Sequence, residues 1–152
     1  MKILEAKPHI RGVVADRLST LEAARRAIRA RGLEERCSAV ACDFFKDIPL
    51  GSDAYLLSHI LHDWDGERCR VILDNCRKAM GPLARLLVVE MVVPPGNAFS
   101  IAKLLDLEVL VMGGGCERTE NEFRDLLEGS GLHMKRVIST RENLSVLECF
   151  KM

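Results

Sequence analysis

The sequence has no excess charge of either sign, since Lys and Arg together number 22 and Asp and Glu together also number 22. A nucleic-acid-binding domain usually carries a basic excess, so this balance argues against nucleic acid as a partner. No apolar run approaches the roughly 20 residues of a membrane span, and residues 1–5 are charged too early for a signal peptide. Neither nucleic acid nor a membrane is therefore expected as a partner.

The sequence also has no paired cysteines. Its six cysteines occur singly, and none forms a Cys-x-x-Cys motif, which argues against a zinc site. No metal is therefore expected. Several of the cysteines lie within apolar patterns, where Cys acts as a small hydrophobic residue. This usage is typical of a reducing, cytoplasmic setting.

A glycine-rich loop is absent before the first strand that ends in an acid. Nucleotide-binding strand–loop–helix units normally place several glycines before the acid that holds the ribose. Only 15 residues precede Asp16, and Gly12 is the one glycine among them. The nucleotide-binding half of any site is therefore expected to be incomplete in this chain.

The patterns that are present predict an α/β fold. Strands alternate with helical patterns, which indicates a mostly parallel sheet, and two final strands indicate a C-terminal antiparallel hairpin at one edge. The predicted strands cover residues 11–16, 37–42, 53–60, 86–93, 134–139 and 144–150. The predicted helices are one ending near Lys7, one capped by Ser19 or Thr20 and stopped at Gly32, one over 69–80, one over 101–112, and one that a capping box opens at Thr119.

The stretch SHILHDWD, residues 58–65, lies where the third predicted strand gives way to a helix. Ligands of open α/β sheets bind beyond the carboxyl ends of the strands. His62 is the candidate general base, because a neutral imidazole accepts a proton near neutral pH. The alternative is a strand end with a solvated His and a packed Trp.

Two carboxylates are candidates for orienting the His62 ring. Glu90 qualifies because a charge inside an apolar strand needs a partner or a role, and Glu117 because it follows three glycines that allow a close approach to a ligand. The alternatives are that Glu90 reaches solvent at a strand end and that Glu117 is a loop charge before the Thr119 cap.

Three further acids, Asp16, Asp43 and Asp63, each stand at the end of a predicted strand. A carboxylate in this position commonly accepts hydrogen bonds from the hydroxyls of a ribose. Each Asp taken alone also suits a helix cap or a loop. Together, at one edge of a sheet, they favour a nucleoside ligand.

Four motifs occur in the order and near the spacing of a known family: DFF at 43–45, HDW at 62–64, LVVE at 87–90 and GGCERT at 114–119. The chain resembles the S-adenosylmethionine-dependent O-methyltransferases of the caffeic acid and acetylserotonin type, especially their bacterial small-molecule members. The resemblance covers essentially all 152 residues. It implies a Rossmann-like methyltransferase domain that uses S-adenosyl-L-methionine.

The resemblance also implies residue roles. His62 takes the proton of the acceptor hydroxyl, and Glu90 and Glu117 flank and orient it. Contacts with the cofactor are implied for Asp16, Asp43, Phe44, Ser58 and Trp64. Contacts with the acceptor are implied for Asp63, Glu108 and Met112. Because Glu108 stands where many members of the family carry Asn, a different acceptor is expected.

The sequence departs from the family at its N-terminal side. The family's catalytic domain begins with a strand and a glycine-rich loop, and a helical dimerisation domain precedes them; this sequence shows none of the three. Residues 1–152 are therefore expected to form an incomplete catalytic domain that lacks the first strand. In the family sheet that strand lies between the strands of Val13 and Leu56, so two unpaired strand edges are expected.

The expected function is methyl transfer to a hydroxyl of a small aromatic or polyketide-like molecule. The family's homodimer is expected only where the dimerisation domain is present. One alternative is a non-catalytic methyltransferase fragment or partner-binding remnant that cannot bind cofactor alone. Another is a nicotinamide-dependent Rossmann oxidoreductase, which the HDW stretch and the absent glycine fingerprint disfavour.

Overall fold

The computed structural model describes residues 1–141 and 143–152, and it describes Met112 by its backbone alone. Within these residues the chain forms two compact units, Met1–Pro49 and Leu50–Met152. Each unit combines helices with parallel strands. This confirms the α/β class that the alternation of strand and helix patterns predicted.

The first unit is a two-stranded parallel sheet with two helices. Its elements are α1 (Lys2–Ala6), β1 (Gly12–Asp16), α2 (Leu21–Arg29) and β2 (Cys37–Ala41). β1 and β2 pair from Gly12 opposite Cys37 to Asp16 opposite Ala41. The core contains Leu4, Ile28 and Leu33. Because the strands are parallel and in register, Asp16 and the residues that follow β2 lie at the same edge of this sheet.

The start of α2 is close to its predicted place, but the predicted cap does not form. Thr20 occupies the N-cap position, yet its hydroxyl donates to the Arg17 carbonyl at 2.7 Å instead of accepting from the helix. A 3₁₀ turn over Leu18–Thr20 runs directly into α2, so Thr20 has helical backbone angles rather than the extended ones of a capping residue. The predicted stop is confirmed, because Gly32 adopts a φ of +61° just beyond the helix.

The second unit is a mixed sheet with helices α3, α4 and α5. Its strands are β3 (Ala54–Ser58), β4 (Arg85–Val93), β5 (Arg118–Thr119), β6 (Leu132–Ser139) and β7 (Leu144–Lys151). Its helices are α3 (Gly66–Ala79), α4 (Ile101–Gly113) and α5 (Glu120–Glu128). The longest described helix, α3, has 14 residues, and none of the described helices is long and apolar enough to cross a membrane.

Strand order in this sheet is β3-β4-β7-β6, with β5 paired to the end of β4. β3 and β4 are parallel, whereas β7 runs antiparallel to both β4 and β6. The predicted C-terminal hairpin is confirmed. The hairpin lies at one edge of the sheet, as expected, with β7 between β4 and β6 and with β6 outermost.

Helices α3 and α5 bury the faces that the sequence predicted. Cys69, Ile72, Leu73 and Cys76 of α3 are at most 1% exposed. α5 begins with the predicted capping box, in which the Thr119 hydroxyl accepts from Glu122 N and the Glu122 carboxylate accepts from Thr119 N at 2.8 Å.

The cysteines behave as small core residues. All six are free, and Cys37, Cys69, Cys76 and Cys149 are buried. Burial raises the pKa of Cys69 to about 11 and the pKa of Cys149 to about 12. These two thiols therefore stay protonated and unreactive near neutral pH.

β1 and β3 each have one edge without a strand partner among the described residues, since β1 pairs only with β2 and β3 only with β4 on its sheet. Side chains on both strands are well exposed, with Val13 at 52% and Leu56 at 49%. Parallel strands are normally covered on both faces. The open edges agree with the expected unpaired strand edges. That the family's first strand would pair with them stays a prediction.

Candidate active site

The turn between β3 and α3 carries the candidate base. β3 ends at Ser58, and His59 then adopts a φ of +53°, a left-handed conformation uncommon outside Gly. The His59 N–H donates to the Val89 carbonyl at 3.1 Å. A 3₁₀ turn over Leu61–Asp63 follows. His62 is therefore presented from a short turn just beyond the carboxyl end of β3.

Glu90 holds this turn against the sheet. It lies on β4 with a fully buried side chain. Its Oε1 accepts from the N–H of Ile60 at 2.9 Å and from the N–H of Leu61 at 2.8 Å. Burial raises the pKa of Glu90, while the charge of His62 and the two N–H donors oppose that rise. Glu90 is therefore not a strand-end residue that reaches solvent.

The second oxygen of Glu90 faces the base. Oε2 lies 3.8 Å from His62 Nδ1, too far for a hydrogen bond. It is buried and has no hydrogen-bond partner among the described residues. Glu90 thus contributes negative charge near His62, while its hydrogen bonds go to the backbone rather than to the ring.

Glu117 is the carboxylate that contacts the His62 ring directly. Its Oε1 lies 3.0 Å from His62 Nδ1, and its side chain is 1% exposed. A carboxylate in this position holds the proton on Nδ1 and leaves Nε2 as the proton acceptor. Glu117 is therefore the residue of the predicted pair that orients the ring.

Asp106 on α4 fixes the position of Glu117. Its Oδ1 accepts from the Glu117 backbone N–H at 2.8 Å. Glu108 was the residue expected at the site from this helix, and a role for Asp106 was not predicted. The available signal was an acid within a largely apolar helical pattern, where a polar residue needs a partner.

The surroundings of His62 favour its charged form. The hydrogen bond with Glu117 raises the pKa of His62, burial lowers it, and the charges of Glu90, Glu117 and Asp63 raise it again, so that the pKa lies above the ordinary value. Asp63 Oδ1 is 3.3 Å from Nε2, but the Asp63 side chain is 59% exposed. Asp63, expected at the acceptor, thus lies beside the nitrogen that faces away from Glu117.

Arg118 joins the His62 turn to the segment that carries Glu117. Its guanidinium donates to the carbonyls of Leu61 and Trp64, each at 2.9 Å. Arg118 is 6% exposed, so these bonds satisfy a charge that would otherwise be costly to bury. Arg118 belongs to the GGCERT motif, but no role was predicted for it.

Gly115 allows the same two segments to approach closely. Cys116 N donates to the His62 carbonyl at 3.0 Å. A Cβ on Gly115 would overlap that His62 carbonyl oxygen and would lie 2.8 Å from the Asp63 carbonyl carbon. The glycine run was expected to let the chain approach a ligand. The structure shows that Gly115 approaches the protein's own backbone.

The family resemblance implies binding roles for four more residues of this unit, Ser58, Trp64, Glu108 and Met112. Ser58 is exposed at the end of β3, and Glu108 is exposed on α4. Trp64 is partly buried, with the Arg68 guanidinium 5.3 Å from its ring centroid. The Met112 side chain lies outside the described part of the chain. Roles for these residues in binding stay predictions.

The first unit brings together the acids and aromatic rings expected to hold a nucleoside. Asp16, Asp43, Phe44 and Phe45 line one cavity of about 480 Å³ at the carboxyl ends of β1 and β2. The Phe44 and Phe45 rings meet edge-on at 4.9 Å. Carboxylate oxygens suit the hydroxyls of a ribose, and aromatic rings suit a base. The cavity therefore fits the nucleoside portion of an adenosyl ligand.

The loop after β2 fixes Asp43. Its Oδ1 accepts from Phe45 N at 3.2 Å, and its Oδ2 lies 3.5 Å from Lys46 Nζ. Asp16 Oδ1 accepts from Arg17 N at 2.7 Å. Local backbone bonds thus orient both carboxylates in the cavity.

Residues 1–133 match the model of a protein family described as the O-methyltransferase domain. The chain belongs to this family. A phenazine O-methyltransferase, PhzM of Lysobacter antibioticus, is 42% identical over 146 residues, which are 96% of this chain and 43% of that protein. The chain therefore spans less than half the length of that relative.

Solved structures agree with the assignment to the O-methyltransferase family. LaPhzM has a TM-score of 0.96 at 40% identity, covering 99% of this chain and 46% of that one. NcsB1 from neocarzinostatin biosynthesis, solved with S-adenosylmethionine and 2-hydroxy-5-methyl naphthoic acid, has a TM-score of 0.90 at 31% identity and the same 99% coverage, over 44% of its own chain. The α/β methyltransferase fold is thereby shown.

Membership in the O-methyltransferase family does not fix the reaction. RdmB of Streptomyces purpurascens, an aclacinomycin 10-hydroxylase, is 37% identical over 127 residues, which are 82% of this chain and 34% of that protein. The reaction has to be argued from the side chains around His62.

The close approach at Gly115 predicts that Gly115→Ala destabilises the protein. The added methyl group would overlap the His62 carbonyl oxygen and lie 2.9 Å from Val109 Cγ1. Overpacking of this kind costs about 1–3 kcal/mol, which urea denaturation monitored by circular dichroism would measure. Gly113→Ala is the control, since its Cβ would lie 3.9 Å from the nearest atom. Equal stability of the two variants would contradict this packing.

The contact with Glu117 predicts a high titration midpoint for His62. NMR of the imidazole protons should give a midpoint above about 6.5, and Glu117→Gln should lower it, because the bond to Glu117 is the largest cause of the rise. A His with a raised pKa adds stability that is fully present below its unfolded pKa and is lost as pH rises through the folded one. Glu108→Gln, which changes an exposed carboxylate that does not contribute to the rise, is the control. An unchanged midpoint in Glu117→Gln would refute the assigned pairing.

Proposed function

We propose that this chain is part of an S-adenosyl-L-methionine-dependent O-methyltransferase that methylates a hydroxyl of a small aromatic or polyketide-like molecule. The observation that carries the proposal is the 3.0 Å contact between Glu117 Oε1 and His62 Nδ1. It orients an imidazole whose other nitrogen, Nε2, is the one that would take a hydroxyl proton. Enzymes that methylate hydroxyls benefit from such a base, because an alkoxide or phenolate is a stronger nucleophile than its parent hydroxyl.

The cofactor is assigned to the cavity of the first unit. Asp16 and Asp43 would accept hydrogen bonds from the ribose hydroxyls, and Phe44 would lie beside the adenine. Ser58 and Trp64 of the second unit are proposed as further contacts. When bound, S-adenosyl-L-methionine would supply a methyl group carried on a positively charged sulfur. NcsB1 was solved with this same compound bound.

The residues around His62 would provide the proton transfer. Nε2 would take the proton of the acceptor's hydroxyl, which would make the acceptor oxygen a stronger nucleophile toward the methyl group that the cofactor would supply. The Nδ1 side of the resulting imidazolium would face the carboxylates of Glu117, at 3.0 Å, and of Glu90, at 3.8 Å, and both would stabilise its charge. Holding the two reactants together can itself supply about 7–11 kcal/mol.

The acceptor and the assembly are proposed from the family. Asp63, Glu108 and Met112 are the proposed acceptor-side residues, and a small hydroxylated molecule such as the naphthoic acid bound by NcsB1 is the class of acceptor. A homodimer is proposed for a form that carries the dimerisation domain. The free cysteines suit a cytoplasmic location.

The second candidate function is a non-catalytic fragment of the family. The open edges of β1 and β3 favour it. The His62, Glu90 and Glu117 arrangement favours the enzyme, because a fragment free of catalysis would not need two buried carboxylates beside a histidine.

We predict that this chain binds S-adenosylhomocysteine weakly. The glycine-rich loop of the family brings backbone N–H groups close to the nucleoside and amino-acid portions, and the sequence supplies no such loop. Calorimetry on the 152-residue chain should therefore detect binding no tighter than the millimolar range, about 4 kcal/mol. A form extended with the family's first strand and loop should bind more tightly, and Asp16→Asn should weaken that binding.

Two results would change this assignment. Micromolar affinity in the 152-residue chain would show that the loop is not needed. Failure of the extended form to bind S-adenosylhomocysteine would favour the non-catalytic fragment.

Replacement of His62 by Gln in the extended form tests the proposed base. His62→Gln keeps a polar side chain but removes the titratable imidazole, so methyl transfer should fall by about 10²–10⁴-fold. Binding of S-adenosylhomocysteine should be retained, because Asp16 and Asp43 are the proposed nucleoside contacts.

His59→Gln is the matched control, because it changes the other imidazole of the same turn. It should leave methyl transfer near the parent rate. If His62→Gln stays within about twofold of the parent at saturating substrate, or if His59→Gln is the variant that loses activity, the base is wrongly assigned.

A further inference from the structure

Three potential metal ligands meet at the turn after β3. One nitrogen each of His59 and His62 and one carboxylate oxygen of Glu90 all lie within 4.8 Å of one another. The two imidazole rings are 5.5 Å apart and tilted by 55°. His59 is exposed, His62 is partly buried and Glu90 is buried, so the group opens to solvent on one side.

The buried oxygen of Glu90 points to a ligand at this group. Glu90 Oε2 lacks a hydrogen-bond partner among the described residues, although its side chain is fully buried. Such an atom is costly unless something compensates it. The contact with His62 Nδ1, at 3.8 Å, is too long to do so as a hydrogen bond. A cation at the group would compensate it.

The backbone of His59 is a second sign. Its φ of +53° lies in the left-handed region, where residues other than Gly are uncommon. Backbone strain of this kind clusters at functional sites. Yet the proposed methyl transfer uses His62 and gives His59 no task.

From these observations we infer that His59, His62 and Glu90 form a binding site for a divalent transition-metal ion of the zinc class. Two imidazoles and one carboxylate are a ligand set that zinc accepts, with a fourth position left for water. Imidazole also suits Cu²⁺ and Ni²⁺, whereas Mg²⁺ and Ca²⁺ prefer sets made of oxygen atoms.

The His62 nitrogen that lies near Glu90 Oε2 is Nδ1, so the ion would displace the contact of Nδ1 with Glu117, and the ligand atoms would also move closer together. Tetrahedral ligands about 2.1 Å from zinc are about 3.4 Å apart, while the three ligand atoms lie within 4.8 Å. His59 is exposed and can rotate its ring toward the ion. Glu90 is held by Ile60 N and Leu61 N through its other oxygen, so Oε2 remains available.

Metal binding here would oppose the function of the base. An ion on His62 occupies or displaces the imidazole that the proposed methyl transfer needs. The site would therefore make the protein sensitive to inhibition by zinc, without any role for the ion in the reaction itself.

The test is calorimetry of the chain with Zn²⁺ under reducing, chelator-free conditions. The parent should bind one ion at this site. His59→Asn should weaken binding by more than about tenfold, since loss of even a partner that supports a metal ligand costs 10–100-fold. Asn is chosen because it tolerates the left-handed backbone, so this exposed position should keep its fold. His133→Asn, which changes an exposed imidazole on β6, is the control and should bind as the parent does.

Two spectroscopic readouts separate this site from the thiols. On addition of Zn²⁺, the NMR signals of the His59 and His62 rings should shift while those of His9 and His133 stay in place. Co²⁺ should give visible absorption without the near-ultraviolet band of thiolate ligation.

Equal affinity in His59→Asn, shifts at the wrong histidines, or a thiolate band would each overturn the proposal. None of these results bears on methyl transfer. The metal site and the proposed function therefore fail independently.

Discussion

The site depends on the hydrogen bonds that the buried carboxylate of Glu90 accepts from the chain after β3. One of its oxygens accepts from the backbone of Ile60 and Leu61 and so fixes the path of the chain as it leaves β3. Without these bonds, two N–H groups and an acid would be buried unpaired, at a cost of about 1–3 kcal/mol each. The position of His62 is therefore set first by the hydrogen bonds from the backbone of Ile60 and Leu61 to Glu90 on β4. Contacts with the His62 ring come second.

A second set of contacts brings in Glu117 from 55 residues away. Arg118 donates to the carbonyls of Leu61 and Trp64, Cys116 donates to His62, and Gly115 leaves room for both. Most of these bonds involve the backbone of the His62 turn. The turn and the GGCERT segment therefore pack as one body, and the distance from Glu117 to the ring follows from that packing.

Much of the fold could be predicted because its signals are local. The apolar run of β4, the helical spacing on α3 and the capping box at Thr119 each lie within a short stretch, and the structure confirms them. The error at the Thr20 cap arose because a neighbouring segment decided the outcome, since a preceding 3₁₀ turn runs into α2. The order of the strands, with β7 between β4 and β6, is not contained in any local pattern. The two-residue strand β5 has no local pattern at all.

The sequence by itself determined which residue types are present and in what order, and this was enough to select His62, Glu90 and Glu117. The tertiary structure decided which contacts each of the two glutamates makes. Glu117 bonds to the ring, whereas Glu90 bonds to the backbone and keeps one oxygen unpaired beside His62. Residue type and order along the chain are equally suitable for both glutamates and do not distinguish them. Only the three-dimensional path of the β3 turn, fixed by long-range hydrogen bonds and by burial, sets which of them reaches Nδ1 and places His59 next to His62.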